Sequence, residues 1–124
     1  MKKKKAMHLV KVLRSGTYKQ GYHALVDNND CFCVLGVACN ESTTDLEWVK
    51  GLGMTSLWSI GREFYLLPQK IQKEYGFYDR AGKRRDGERI KIGPQCYDSL
   101  TSANDDGVSF KDLADYIEKN YKEL

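Results

Sequence analysis

At 124 residues the chain has the length of one domain, enough to bury roughly two thirds of its unfolded surface without disulfide or metal staples. Its net charge of +3 is set by Lys2 to Lys5: of 20 basic residues those four leave 16 against 17 acidic ones. Generic nucleic-acid binding requires a basic face, which in this near-neutral body only the 80–91 segment offers, and no such binding is expected. No apolar run approaches the roughly 20 residues of a bilayer span, and Lys11 and Arg14 interrupt what would have to be the core of a secretory signal. The expected location is therefore the cytoplasm.

In chain order, residues 1–5 read as a solvated basic extension and residues 6–124 as one domain. Ala6, Leu9, Val10 and Leu13 fall at i, i+3, i+4 and i+7 and mark one face of a helix. Ser15-Gly16 stops it, with Gly16 suited to a left-handed C-cap. Residues 24–26 and 31–35 flank the turn-forming Asp27-Asn28-Asn29-Asp30 and predict a short hairpin with a buried second strand. Residues 36–39 fit the start of a helix equally well, and Gly36 marks a close backbone approach in either case. Asp45 predicts the cap of a short helix through Trp48, broken by residues 51–53. Leu67-Pro68 opens another helix, with Leu67, Ile71 and Tyr75 on one side and Gly76 at its end. Residues 77–80 and 88–92 predict a second hairpin, whose tip over 81–87 carries Lys83, Arg84 and Arg85. Ser109 is a good N-cap with Asp112 three residues on. Phe110, Leu113, Ala114, Ile117 and Tyr121 then supply the apolar face of a last helix. The expected fold is α+β, a single compact domain with two short β-hairpins and three to five helices.

The chemistry-bearing residues divide into those that argue against catalysis and those that argue for binding. The cysteine spacing C-x-C-x5-C matches no zinc-finger pattern, and neither His8 nor His23 lies at ligand spacing from it. Cys31, Cys33 and Cys39 sit among Phe32, Val34, Leu35, Val37 and Ala38, as packed thiols do. No metal or cofactor is expected. Apolar surroundings also blunt a thiol nucleophile, and neither HExxH, G-x-S-x-G nor a Walker-type loop occurs, so the reading leans away from an enzyme and assigns no catalytic residue.

Binding residues concentrate in the loop over 14–23. Arg14 offers a planar fork for phosphate or carboxylate, and Lys19 a point charge. Gln20 suits a base edge or a ribose hydroxyl. Tyr18 and Tyr22 offer rings on which a base stacks, an interaction worth roughly 1–3 kcal/mol per base. Asn104-Asp105-Asp106-Gly107 lacks the alternating order of an EF-hand and reads as a turn into the Ser109 cap. Asn104 and Asp105 are candidates there for a ribose diol or a partner amide. The N–H groups of residues 109–111 begin a helix that would receive an anion, although Asp106 and Asp112 oppose a phosphate. Arg62, close to Trp58 and Tyr65, reads as a surface arginine packed on an aromatic or, functionally, as a cation–π clamp; Lys83, Arg84 and Arg85 read as a solvated turn or as an arm that reaches a phosphate or an acidic protein.

The segments Leu13-Arg14-Ser15-Gly16-Thr17-Tyr18-Lys19-Gln20-Gly21, Cys31-Phe32-Cys33-Val34-Leu35-Gly36-Val37-Ala38-Cys39 and Asn104-Asp105-Asp106-Gly107-Val108-Ser109-Phe110 resemble a widespread family of small phage and prophage proteins with motifs of the form LRSGxYxQG, CCLGVxC and LNDxGxSFxxIAD. The resemblance covers roughly residues 9–40 and 96–118. Phe32 separates cysteines that are adjacent in the family motif, and Thr101-Ser102-Ala103 separates Leu100 from Asn104. The resemblance implies a phage protein acting in the cytoplasm of a bacterial host. By analogy with phage counter-defence proteins, the residue menu suggests a homo-oligomeric sponge for a small anionic nucleotide-type immune signal, ADP-ribose-derived or cyclic. The alternative is a protein-binding inhibitor of a host defence enzyme, using an apolar patch around Trp48, Met54 and Trp58; a small nucleotide hydrolase is a third reading.

Overall fold

A computed structural model describes residues 1–51 and 57–124. The expectations placed on Gly53 and Met54 lie outside those residues. The described elements are α1 (Lys3–Arg14), α2 (Val34–Asn40), β1 (Trp48–Lys50), β2 (Trp58–Ile60), α3 (Gln69–Tyr75), β3 (Ile90–Ile92), β4 (Gln95–Tyr97), α4 (Leu100–Asp105) and α5 (Phe110–Asn120), followed by a 3₁₀ turn over Tyr121–Glu123. The strands form two separate two-stranded antiparallel sheets. The fold is α+β, with five helices and two small hairpins.

The core is built where α1 lies along α5. Ala6, Leu9, Val10 and Leu13 are buried from one side, and Leu113, Ala114 and Ile117 from the other. Helix α2 is buried along most of its length, from Val34 to Cys39, which explains why its sequence is an unbroken apolar run without period. Among the described residues, no helix is long and apolar enough to cross a membrane.

Five local expectations need correction. Lys3, Lys4 and Lys5 form the first turn of α1 rather than an extension, and Lys5 Nζ donates to Glu74 Oε1 at 2.5 Å. The stretch over 24–35 is not a hairpin. Val26 keeps a single antiparallel bridge to Phe32, and the chain then turns into α2. Two side chains direct it there: Asp27 Oδ1 accepts from the N–H groups of Asn29 and Cys31, and Cys33 caps α2 by accepting the Gly36 N–H on its sulfur at 3.3 Å. The close approach expected at Gly36 is present, since a Cβ there would lie 1.9 Å from the Leu25 carbonyl oxygen.

Asp45 starts no helix, because Trp48 already belongs to β1 and pairs with Ile60. Just before it, residues 42–44 are held by the Glu74 carboxylate, which accepts from the Thr43 N–H at 2.9 Å and the Thr44 hydroxyl at 2.6 Å. The second hairpin is also displaced. Ile90–Ile92 pairs with Gln95–Tyr97 across a two-residue turn in which Gly93 takes a left-handed φ of 60°, while residues 77–80 run as a connector. Helix α4 was not expected. Ser99 and Ser102 form a reciprocal capping box at its start, so Asn104 and Asp105 end a helix instead of opening a turn. Elsewhere the reading holds: α3 ends on a left-handed Gly76 with a φ of 73°, and Ser109 caps α5 by accepting the Asp112 N–H.

Candidate functional site

The loop leaving α1 crosses the start of α5, and the two enclose a groove of about 540 Å³ lined by Leu13, Arg14, Gly16, Tyr18, Gln20, Phe110 and Lys111. Each wall has a traceable cause. Gly16 takes the left-handed region with a φ of 74°, and a Cβ there would meet nothing within 4 Å. The chain therefore turns off α1 without filling the groove mouth.

Gln20 is the rivet between loop and helix. Its Nε2 donates to the Val108 carbonyl at 2.8 Å and to Asn104 Oδ1 at 3.0 Å. Its Oε1 accepts the Phe110 N–H at 3.1 Å. One donor of the α5 N-terminus is thus taken by Gln20 and another by Ser109, so little of that helix end is left for an anion.

Tyr18 forms the next wall, edge-on to Phe32 with ring centroids 4.9 Å apart. Its hydroxyl donates to Glu41 Oε2 at 2.6 Å and accepts from Asn40 Nδ2 at 2.7 Å. Burial pushes the Tyr18 phenol up to about 12, so it remains a donor at neutral pH. The Tyr18 bond, with a further one from His8, holds the Glu41 carboxyl below its ordinary range despite its partial burial.

Arg14 projects from the end of α1 over α5. Its Nη2 donates to Glu118 Oε2 at 2.5 Å and to Asp115 Oδ1 at 2.6 Å. Both bonds raise the guanidinium pKa, Glu118 most. Both use one terminal nitrogen, leaving Nε and Nη1 without a partner among the described residues. The pairs are exposed, and solvent-screened ion pairs of this kind exchange easily with an incoming anion.

The other expected site residues lie elsewhere. Lys19 is exposed, and its carbonyl accepts the Phe32 N–H at 2.8 Å; Tyr22 is exposed and outside the groove lining. Asn104 does not face a ligand. It is fully buried. Its Oδ1 accepts from Gln20 and from the Val34 N–H at 3.1 Å, and its Nδ2 donates to the Gly21 carbonyl at 2.9 Å. An amide so engaged has no bonding capacity left for a ribose. Asp105 accepts the His23 N–H at 2.9 Å, beside a His23 backbone in the left-handed region with a φ of 63°.

Arg62 makes no clamp. It sits exposed in a left-handed turn with a φ of 67°, and the cation over the Trp58 ring is Lys50, 5.6 Å from the centroid. Arg84 is not a free arm either. It pairs with Asp86, and its Nη1 donates to the Tyr116 hydroxyl at 2.9 Å and to Asn120 at 3.3 Å, fastening the connector to α5. Arg85 is exposed, and its N–H donates to the Glu123 carbonyl at 2.8 Å.

A family model described as a domain of unknown function, DUF8296, matches residues 1–121. The chain belongs to that family. Nothing matched among curated proteins or solved structures. In this DUF8296 chain three of the expected residues, Arg14, Tyr18 and Gln20, meet in one groove, and Phe110 and Lys111 join them. Phe110 reads in sequence as a core residue, because its i, i+3, i+4 spacing with Leu113 and Ala114 is what a buried face shows. Lys111 follows it on the exposed side of α5, and only the crossing of loop and helix brings it to Arg14.

Among the described residues the groove lining itself carries no thiol, imidazole or carboxylate, and the adjacent carboxylates of Asp115, Glu118 and Glu41 are bonded to Arg14 and Tyr18. Burial pushes the Cys33 thiol up to about 12 and that of Cys39 well above its ordinary range. What the groove offers among the described residues is cationic nitrogen, aromatic rings and an open mouth.

Proposed function

We propose that this protein is a phage-encoded, non-enzymatic binding protein that sequesters a small nucleotide-type signal in the cytoplasm of a bacterial host. The observation that carries the reading is the convergence of Arg14 and Lys111 with Tyr18 and Phe110 around one groove. The two cations suit phosphate oxygens, the planar fork of Arg14 above all. The ring edges and Leu13 suit a base. At about 540 Å³ the groove falls within the about 300–1,000 Å³ of pockets that take compact ligands. Asp115 and Glu118 screen Arg14 in the free protein, and the phosphate replaces them on binding. A homo-oligomer presents such grooves in multiples at little cost in sequence.

The test is retention. The protein is incubated with a panel of mono-, di- and cyclic nucleotides and ADP-ribose-type compounds, repurified and denatured, and the released material is identified by mass spectrometry. Near-stoichiometric release of one intact compound is the expected result. Release of nothing refutes the reading, and a converted compound in the supernatant replaces it with an enzyme.

A further inference from the structure

On the far side of the Tyr18–Phe32 contact lies a second, chemically opposite cleft of about 210 Å³, lined among the described residues by Val26, Asp30, Phe32, Trp48 and Trp58. We infer that this cleft is a binding site for an alkylated ammonium group, with the two tryptophans and Phe32 as its π walls and Asp30 as its counter-charge.

The register of the first hairpin builds it. Trp48 pairs with Ile60 and Lys50 with Trp58, so both indoles stand on the same face of the ribbon as diagonal neighbours. Such positions lie about 7–8 Å apart, close enough for large rings to flank one small group. Val49 points the other way and is 61% exposed. Phe32 supplies the third ring, edge-on to Trp48 at 6.2 Å and 88°, and the buried Val26 closes the base.

The walls are fixed before any ligand arrives. Trp48 Nε1 donates to Asn40 Oδ1 at 3.0 Å, and Trp58 Nε1 donates to Asp30 Oδ1 at 3.0 Å. The Trp58 backbone N–H donates to the Val26 carbonyl at 3.1 Å. Asp30 itself is held in the left-handed region with a φ of 57°, which aims its carboxylate at the Trp58 edge.

These bonds decide the ligand class. Both indole N–H groups are already engaged, so neither is free to donate to a ligand, and what the rings offer is the attraction of their quadrupoles for cations. Among the described lining residues the charged one is Asp30, whose carboxylate repels phosphates and attracts ammonium. The volume lies below that of pockets for drug-sized ligands, so a head group fits and a nucleotide does not. The chain also carries its own precedent: the Lys50 ammonium rests over the Trp58 ring, an intramolecular competitor for the same face. Three aromatic walls with an acid at the rim form the kind of cage that recognises quaternary ammonium.

Trp48 and Trp58 are the two tryptophans of the chain, so fluorescence excited at the red edge of the band, where the eight tyrosines do not absorb, reports on this cleft. The full-length protein is titrated with tetramethylammonium, choline and N-acetyl-trimethyllysine amide, against the neutral isostere 3,3-dimethylbutanol. The cations are expected to bind at least about tenfold more tightly than the isostere. The choline and trimethyllysine arms show whether a free compound or a modified side chain is preferred. Trp58→Phe retains a ring and should weaken binding only a few-fold. Asp30→Asn should weaken it about tenfold, and Lys50→Gln should tighten it by freeing the Trp58 face. Circular dichroism confirms that each variant is folded. Equal binding of cation and isostere, no binding of any cation, or affinity indifferent to both Asp30→Asn and Lys50→Gln overturns the assignment.

Discussion

Replacing Asn104 with alanine tests whether the candidate groove is held from behind by one buried amide. Asn104 ties three segments together: Gln20 and Gly21 in the loop, Val34 at the start of α2, and its own helix α4. Truncation leaves the Val34 N–H and the Gly21 carbonyl buried without partners, each costing about 1–3 kcal/mol, so the expected loss is about 4 kcal/mol. Gln20 keeps its bonds to Val108 and Phe110 and adds little. Against a typical domain stability of about 5–15 kcal/mol, that is a large share. At about 3–5 °C per kcal/mol for a chain of this length, the melting temperature should fall by roughly 12–20 °C. Urea unfolding with the slope unchanged is the measurement. A double-mutant cycle with Gln20→Ala should return a coupling of about 1 kcal/mol or more. A loss below about 1 kcal/mol for Asn104→Ala, or additive single losses, refutes the amide's bridging role.

Three further outcomes follow from the packing. Gly36→Ala forces a methyl onto the Leu25 carbonyl, 1.9 Å from its oxygen; helix propensity favours alanine by about 1 kcal/mol, yet the clash should win and the variant should be destabilised by about 2–3 kcal/mol in denaturant melts. Glu74 accepts from Lys5, Ser42, Thr43 and Thr44; burial works against its charge, but these bonds hold its carboxyl well below the ordinary range. Its contribution is therefore fully present above the unfolded value of about 4.3 and is lost as pH falls through the lower folded value. Glu74→Gln should lower stability at pH 7 by about 2 kcal/mol and flatten the loss of stability below about pH 4, as seen in a series of melts. Thiol labelling under native conditions should modify Cys96, which is exposed, and spare the buried Cys33 and Cys39, as read by peptide mass spectrometry; rapid labelling of Cys33 would contradict the placement of α2.

Local signals carried much of this fold into the sequence. The 3.6-residue spacing in α1 and α5, the Ser109 cap and the left-handed glycines at 16 and 76 each specify their structure within a few neighbouring residues. The failures have two causes: local devices outside the usual preferences, and dependence on a distant partner. Cys33 becomes a helix cap only through its sulfur, a weak acceptor that no standard capping preference includes. The second hairpin closes over the two-residue turn Gly93-Pro94, whereas the sequence pairs residues 88–92 with 77–80. Residues 42–44 take their course from Glu74, more than 30 positions away. The site divided in the same way. Arg14, Tyr18 and Gln20 were legible because the end of α1 and the loop that leaves it carry them within seven residues, whereas Phe110 and Lys111 needed the crossing of loop and helix. Asn104 looked like a ligand group in a turn and is instead the buried amide that holds the loop in place.

The most direct test of the central claim compares wild type with Arg14→Ala and Lys111→Ala in calorimetric titrations with whichever nucleotide the wild type retains. Both side chains are exposed, so the variants should fold and melt like the parent. The groove reading predicts at least about tenfold weaker binding in each. Unchanged affinity in two folded variants would contradict it and move the ligand to another surface.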